Sequence, residues 1–372
     1  MRAPALSEAE GSSPAHFQLA PAHLLLGVMK IRSRAPLRLG LAGGGTDVSP
    51  YCDAFGGAIL NATIGYYAYA TIEPLDDGTV ELASADQRNG GKYPSDASLV
   101  PDGNLDLLKH IHNYAVENFA AGDSLSLRLT TRVDVPPGSG LGGSSTLTVA
   151  ALKAYAEWLT WPFDNYELAN AAYVVERERA ALRGGRQDQY AAAFGGFNFM
   201  EFGRDGRVLV NPLRIAPAVV SELEASLLLF YTGDSRSSAA IIEEQARNVE
   251  AGNTIAVEAM HQVKQEAFQM KECLLRGDFE QLHRVLRKSW DSKKSMATGI
   301  VSERIESLYH CALNAGAFCA RISGAGGGGF MTFFTDPMRK LQVADSLSRC
   351  ESNGIVYGCH FTHAGAQAWR LK

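Results

Sequence analysis

A glycine-rich loop between a strand pattern and a helix pattern constrains the fold of this 372-residue chain more than any other feature. Residues 124–135 alternate apolar with polar side chains, which predicts a strand with one buried face. Pro136 and Pro137 end that strand, and four glycines follow within residues 138–145, before a predicted helix over residues 146–159. Glycine lets backbone amides turn towards an anion, and a helix N-terminus adds partial positive charge. The pattern therefore predicts a phosphate-binding loop.

Several loop types compete as explanations of this segment. Gly138, Gly140 and Gly143 match the G-x-G-x-x-G pattern of dinucleotide-binding folds, but a parallel strand in such a fold would read as continuously apolar. A Walker A loop requires a lysine after its second glycine, where this chain has Ser144. A tight strand-to-helix turn explains one or two glycines but not four. A kinase loop of another kind, in which Ser144 meets Mg²⁺ and the amides hold phosphates, also fits the residues.

Composition excludes some classes of protein. The formal net charge of -5 leaves no basic surplus for nucleic acid, and 46% hydrophobic with 20% charged residues is typical of a globular protein. No run reaches the roughly 18 apolar residues of a membrane span. The length suits two packed domains.

The N-terminal residues and the cysteines indicate the cellular compartment of the protein. Residues 1–28 are rich in Ala, Pro and Ser, and Glu8 and Glu10 argue against a signal peptide, so we expect a flexible extension before a strand that begins at Met29. The six cysteines are scattered and form no C-x-x-C pair, which predicts reduced thiols in a cytoplasmic protein.

Three segments, in order, resemble the three motifs of the GHMP kinases, the superfamily of galactokinase, homoserine kinase, mevalonate kinase and phosphomevalonate kinase. They are residues 35–47, 137–145 and 323–329. The resemblance implies an α+β fold of two domains, an N-terminal α/β domain that carries the nucleotide loop and a ferredoxin-like C-terminal domain that completes the substrate cleft. We expect the extension over residues 1–28, the first domain over 29–205 and the second over 206–372.

Within that superfamily, residues 43–47 and 184–190 resemble the sugar kinases that act on D-glycero-D-manno-heptose 7-phosphate. Galactokinases tend to carry Glu-His where this chain has Gly44 and Gly45, which argues against galactose. The resemblance implies ATP-dependent phosphorylation of the anomeric hydroxyl, which gives heptose 1,7-bisphosphate for activated-heptose and surface-polysaccharide synthesis. A kinase for an unphosphorylated sugar such as fucose, or a sensor that binds ATP and sugar without turnover, are the alternatives.

The resemblance also implies roles for individual residues. Asp188 would accept or orient the proton of the attacking hydroxyl. Arg38 would keep that carboxylate ionised and offset the charge that develops during transfer. Ser144 and a helix glutamate would hold Mg²⁺. Glu178 is the predicted ligand, because its helical spacing from apolar neighbours turns it inward and leaves Glu176 in solvent.

The remaining predicted contacts involve ATP and the sugar. The nucleotide loop that would hold ATP comprises Pro137, Gly138, Ser139, Gly140, Leu141, Gly142, Gly143, Ser144 and Ser145. The predicted substrate-binding residues are Gly43, Gly44, Thr46, Asp47, Arg186, Arg236, Gly324 and Gly326. Of these, Arg186 and Arg236 are the candidates for the distal phosphate of the sugar, and the third glycine loop is also expected to let the two domains approach closely.

Overall fold

A computed structural model describes residues 30–233 and 238–371. The expectations for residues 1–28 and for Arg236 lie outside these ranges. Within them, no helix combines the length and the apolar character that a membrane crossing needs.

The first domain is built on a large mixed sheet. Its strands are β1 (Lys30–Ala42), β2 (Gly57–Pro74), β3 (Thr79–Ser84), β4 (Asn89–Pro94), β5 (Leu127–Val133), β6 (Phe197–Phe202) and β7 (Val208–Pro212). Its helices are α1 (Tyr51–Phe55), α2 (Asp106–Phe119), α3 (Gly143–Leu159), α4 (Asn165–Tyr173) and α5 (Gln187–Phe194). Strand order runs β1-β2-β5-β3-β4, β3 and β5 are parallel, and the hairpin β6–β7 pairs with β2. Helix α3 packs on β1 and β2 and fills the core with small and aromatic side chains.

The predicted strand before the glycine loop is present but shorter, since β5 covers only Leu127–Val133. Its buried positions are Leu127, Leu129 and Thr131, so the alternation of one buried face is confirmed. The loop leaves the end of β5 and opens α3 at Gly143. Gly138, Gly140 and Gly142 all have positive φ, a backbone conformation that side chains rarely allow.

The second domain has the βαββαβ order of a ferredoxin-like fold. Its strands β8 (Leu227–Tyr231), β9 (Ala317–Ile322), β10 (Phe330–Thr335) and β11 (Ile355–Tyr357) form an antiparallel sheet of order β11-β8-β10-β9. Its helices are α6 (Pro217–Ser226), α7 (Ser238–Glu250), α8 (Thr254–Arg276), α9 (Phe279–Lys294), α10 (Glu303–Asn314) and α11 (Lys340–Cys350). The α+β class and the two-domain architecture are therefore confirmed.

Two features of chain organisation differ from the expectation. The boundary between residues 205 and 206 falls inside the turn that joins β6 to β7, although both strands belong to the first sheet. In addition, the chain returns from the second domain, and β12 (Gln367–Leu371) pairs with β1. The first sheet thus takes strands from both sides of the expected boundary.

Local chemistry separates α7 from α8. Gly252 adopts φ 64°, and the Asn253 side chain accepts a hydrogen bond from the Ala256 amide to begin α8. Cys311 of α10 and Cys350 of α11 form a disulfide, so the prediction of reduced thiols is wrong for that pair. Spacing along the chain could not reveal the pair, since 39 residues separate the two cysteines.

The third glycine loop packs directly on the backbone of the nucleotide loop. The Phe330 amide donates to Ser139 O at 2.9 Å, and a Cβ atom on Gly329 would lie 2.5 Å from the same oxygen. A Cβ on Gly140 would lie 2.9 Å from Ser323 O. Glycines on both sides therefore allow the close approach of the two domains that the sequence predicts.

This packing predicts the effect of Gly329→Ala. The new Cβ is strained at φ 82° and must displace the Ser139 carbonyl, so we expect a loss of about 2–4 kcal/mol in the free energy of unfolding. Gly122→Ala is the matched control, because Gly122 has φ 89° with no atom within 4 Å of the added Cβ, and it should cost only about 1 kcal/mol. Urea unfolding of both variants measures the difference, and equal losses would contradict the packing argument.

Candidate active site

A cleft between the nucleotide loop and the second domain gathers most of the predicted site residues. It encloses a cavity of about 300 Å³. The first domain contributes the nucleotide loop with Arg38, Asp47, Gln187 and Asp188, and the second domain contributes Gln245, Lys293 and Gly324. Segments far apart in sequence thus surround one cavity.

Arg38 and Asp188 form an ion pair at the wall of this cavity. The Arg38 Nε and Nη2 atoms lie 2.7 and 2.6 Å from Asp188 Oδ1, and the Arg38 side chain is 4% exposed. Arg38 Nη1 also donates to Gly140 O at 2.7 Å. Because β1 carries the arginine and the first turn of α5 carries the aspartate, this pair joins both elements to the nucleotide loop. The predicted contact between the two residues is present.

Gly142 provides the room for that carboxylate. A Cβ atom on Gly142 would lie 3.0 Å from the Asp188 Cγ atom and 3.1 Å from Oδ2. The carboxylate therefore lies directly against the loop that resembles a nucleotide-binding motif. A group held on that loop would be adjacent to a carboxylate with one oxygen bound by a guanidinium group.

Glu176, and not Glu178, faces the nucleotide loop. Glu176 is 0% exposed, and its two carboxylate oxygens accept hydrogen bonds of 2.6 Å from the Ser144 and Ser145 hydroxyls. The Gln189 side-chain amide donates to the same carboxylate at 2.6 Å. Glu178 is exposed, so the prediction that it turns inward is wrong.

The error has a geometric cause. Residues Val174–Arg179 form a π-helical segment, in which hydrogen bonds span five residues, as from the Ala180 amide to Val175 O. The π-helical segment buries Glu176 beside Val175, whereas an α-helical spacing from buried Ala171 points seven positions on, to Glu178. The spacing of apolar residues in the sequence does not reveal a π-helical segment.

Asp47 is a buried carboxylate among the residues that line the cavity. Its Oδ2 accepts hydrogen bonds from the Arg186 and Gln187 amides at 2.9 and 3.0 Å. Its Oδ1 is buried and has no hydrogen-bond partner among the described residues, and the same is true of Gln187 Oε1. Burial raises the pKa of Asp47, with the neighbouring Asp188 charge contributing in the same direction. Two residues that line the cavity thus carry buried acceptor oxygens without donors among the described residues, and hydroxyl groups of a ligand would supply such donors.

Of the other predicted substrate-binding residues, some line the cavity and others do not. Gly44 and Gly324 line the cavity. Thr46 does not, because its buried hydroxyl lies 2.8 Å from Gly43 O and 3.1 Å from Ala58 O and shapes the loop. Gly43 packs on the backbone of Ala58.

The remaining two predicted contacts also lie away from the cavity. A Cβ atom on Gly326 would meet Ile300 at 2.7 Å. The Arg186 side chain turns to Gly206 O at 2.5 Å and stacks over the Tyr173 ring. Arg186 is therefore not among the residues that line the cavity, and its expected role in binding a distal phosphate stays a prediction.

Three cationic residues at the cavity were missed by sequence reasoning. Arg177 contacts Glu176 and Gly185 O, and Arg183 lies at the opening, paired with Glu243. Both flank the 184–190 motif, which could have directed attention to them. Lys293 comes from α9, more than a hundred residues further on, and no local pattern marks it.

Two family models match this chain. The N-terminal domain of GHMP kinases matches residues 106–196, and the C-terminal domain of GHMP kinases matches residues 270–354. The chain belongs to the GHMP kinases, as the motifs, the fold and the cleft indicate. Members of this family are ATP-dependent kinases, so ATP is the phosphoryl donor that this site implies.

Individual proteins of the family are similar to this chain over most of its length. The chain is 46% identical, over 92% of its length and 99% of the relative, to the D-glycero-alpha-D-manno-heptose 7-phosphate kinase of Campylobacter jejuni. A solved D-glycero-D-manno-heptose 1-phosphate kinase from Bacteroides thetaiotaomicron superposes with a TM-score of 0.78 at 41% identity, covering 92% of this chain and 99% of that one. Galactokinase of Lactococcus lactis shares the fold at 16% identity, with a TM-score of 0.72 over 91% and 95% of the two chains.

Proposed function

We propose that this chain transfers the γ-phosphoryl group of ATP to the anomeric hydroxyl of D-glycero-D-manno-heptose 7-phosphate, which gives heptose 1,7-bisphosphate for activated-heptose synthesis. The near full-length similarity to the Campylobacter jejuni kinase carries this proposal. The intact Arg38–Asp188 pair favours an enzyme over a sensor without turnover. The fucokinase alternative has weaker support, since the Bacteroides fragilis fucokinase is 24% identical and the chain covers 36% of it.

The nucleotide loop has the geometry needed to hold the phosphates of ATP. Its glycines at positive φ expose backbone amides, and α3 begins at Gly143 with its N-terminus at the cavity. Both features favour negative charge. The third glycine loop supports the nucleotide loop from the other domain.

Mg²⁺ fits the oxygens beside this loop. Ser144 lines the cavity, and its Oγ atom lies 2.6 Å from Oε1 of the buried Glu176, close to the roughly 3 Å between neighbouring ligands of an octahedral Mg²⁺. Among the described residues no group of three or more His, Cys, Asp or Glu side chains could hold a metal, which suits an ion that keeps waters and binds phosphate. Bound there, Mg²⁺ would neutralise charge on the β- and γ-phosphates.

Asp188 is the proposed acceptor for the proton of the attacking hydroxyl. The sugar oxygen forms the new bond to phosphorus as the bond from the γ-phosphorus to the ADP oxygen breaks, and the hydroxyl proton passes to the carboxylate. Arg38 holds the carboxylate in place and stabilises negative charge on the transferred group. Asp47 and Gln187 would accept hydrogen bonds from sugar hydroxyls. We place this chemistry in the cytoplasm, where ATP is made available to such kinases.

The proposed role of Asp188 predicts the kinetics of Asp188→Asn. Turnover should fall by about 10²- to 10⁴-fold, because the amide cannot accept the proton, while calorimetric affinity for ATP changes little. Steady-state kinetics and calorimetry on the same preparation measure both quantities. Near-normal kcat in the pure variant would remove Asp188 from the mechanism.

The metal site predicts that substitutions at Glu176 and Glu178 affect the Mg²⁺ requirement differently. Glu176→Gln should raise the Mg²⁺ concentration for half-maximal rate by at least about 10-fold, a loss typical even of residues one contact removed from a metal. Ser144→Ala should shift it in the same direction. Glu178→Gln is the matched control and should leave it unchanged, since Glu178 is exposed. A Mg²⁺ titration of the rate decides, and the reverse ranking of the glutamates would contradict the site.

Substrate choice tests the proposal itself. Charge-assisted hydrogen bonds to the distal phosphate should favour heptose 7-phosphate over free heptose or mannose by about 10- to 10⁴-fold in kcat/KM. A panel of sugars and sugar phosphates measures the ratio, and NMR of the product locates the new phosphate. Equal activity on a free hexose such as fucose, or phosphate on any carbon but the anomeric one, would contradict the heptose assignment.

A further inference from the structure

Two buried cations of the second domain lie beside the cavity without a carboxylate partner among the described residues. Lys293 on α9 is 4% exposed and lines the cavity, and Arg321 on β9 is 6% exposed. No aspartate or glutamate of residues 30–233 or 238–371 comes within 4.0 Å of either charged group. Both basic groups are thus held in the protein interior by neutral groups among the described residues.

The contacts of Lys293 use only part of its hydrogen-bonding capacity. Its ammonium donates to Gly324 O at 2.7 Å and to Ile322 O at 3.2 Å, two carbonyls at the start of the third glycine loop. An ammonium carries three donors, so one remains. Because Lys293 lines the cavity, that donor has a ligand-accessible side.

Arg321 is even less bonded. Among the described residues, its side chain makes one hydrogen bond, from Nη1 to the Ser289 hydroxyl at 3.5 Å. Its Nη2 atom points towards the first motif, since a Cβ on Gly44 would lie 3.5 Å from it. A guanidinium group with five donors is therefore held next to a glycine that lines the cavity.

The carboxylates of this region are bound elsewhere or lie at a distance from the two basic groups. Asp188 pairs with Arg38, and Asp47 accepts from the Arg186 and Gln187 amides. Glu266, which accepts from Ser292 and Gln262, acts on Arg321 from a distance. Burial, followed by the charges of Arg321 and Arg38, lowers the pKa of Lys293 well below its usual value. Burial also lowers the pKa of Arg321 to about 10. A buried cation without an anion is costly, and an anion entering the cavity would remove that cost.

We propose that Lys293, supported by Arg321, is a phosphate-binding site that the second domain contributes to the cleft. Its ligand is the phosphoryl oxygens of a substrate, and the proposed function supplies two sources, the distal phosphate of the sugar and the γ-phosphate of ATP. If Lys293 only held the third loop in place, a neutral donor to the two carbonyls would be enough. We therefore assign the charge of Lys293 to ligand binding.

The test uses two variants of α9 that each remove one lysine charge. Lys293→Met removes the buried ammonium, and Lys294→Met is the matched control, because Lys294 is exposed and pairs with Glu306. Lys293→Gln keeps a donor for the Gly324 carbonyl and serves if the methionine variant fails to fold. Each protein is measured for binding of heptose 7-phosphate against free heptose, and of a non-hydrolysable ATP analogue against ADP.

A distal-phosphate site predicts that both Lys293 variants lose about 10- to 100-fold in affinity for the 7-phosphate and nothing for free heptose. A γ-phosphate site predicts the same loss for the ATP analogue and none for ADP. Either result supports the proposal and identifies the source. Equal weakening of both members of each pair, or no change beyond that of Lys294→Met, would overturn it. The nucleotide measurements need no sugar activity, so failure of the heptose assignment would be seen separately in the wild-type protein.

Discussion

The cleft depends on the guanidinium group of Arg38, which is buried at the junction of three chain segments. Two of its nitrogens hold Asp188 and a third holds the Gly140 carbonyl, so β1, α5 and the nucleotide loop keep one arrangement. A planar group with several donors can satisfy all three contacts at once, which a lysine in this position could not. The cost of burying the charge is offset by the carboxylate that the proposed chemistry uses.

Around that centre, the site is assembled from backbone as much as from side chains. Ser139 and Gly140 of one domain touch Ser323 and Gly329 of the other at distances that exclude a Cβ atom. At the end of the loop, the hydroxyls of Ser144 and Ser145 donate hydrogen bonds to the carboxylate of Glu176. The loop is thus fixed from two sides before a ligand binds, which reduces the ordering that binding requires.

The sequence motifs and the spacing of apolar residues predicted the main features of the fold and part of the site. The loop and the ferredoxin-like second domain follow from three ordered segments, and the pairing of Arg38 with Asp188 follows from the first of them together with residues 184–190. Sequence reasoning failed where geometry departs from regular spacing, as at Glu176 in a π-helical segment, or where a motif residue shapes the loop itself, as at Thr46. It could not find Lys293 and Arg321, because their positions depend on contacts between segments far apart in the chain, as between Lys293 and Gly324 or between Arg321 and Gly44.

The return of β12 to β1 has a consequence for how the protein is made. One edge of the first sheet is completed by residues 367–371, which pair with residues 30–34. A ribosome delivers the first of these strands long before the second, and domains generally fold as units during synthesis. The whole ferredoxin-like domain can form while that edge of β1 still lacks its partner. An exposed strand edge is a template for pairing with other chains, so the nascent protein carries an aggregation-prone surface until synthesis reaches residue 371.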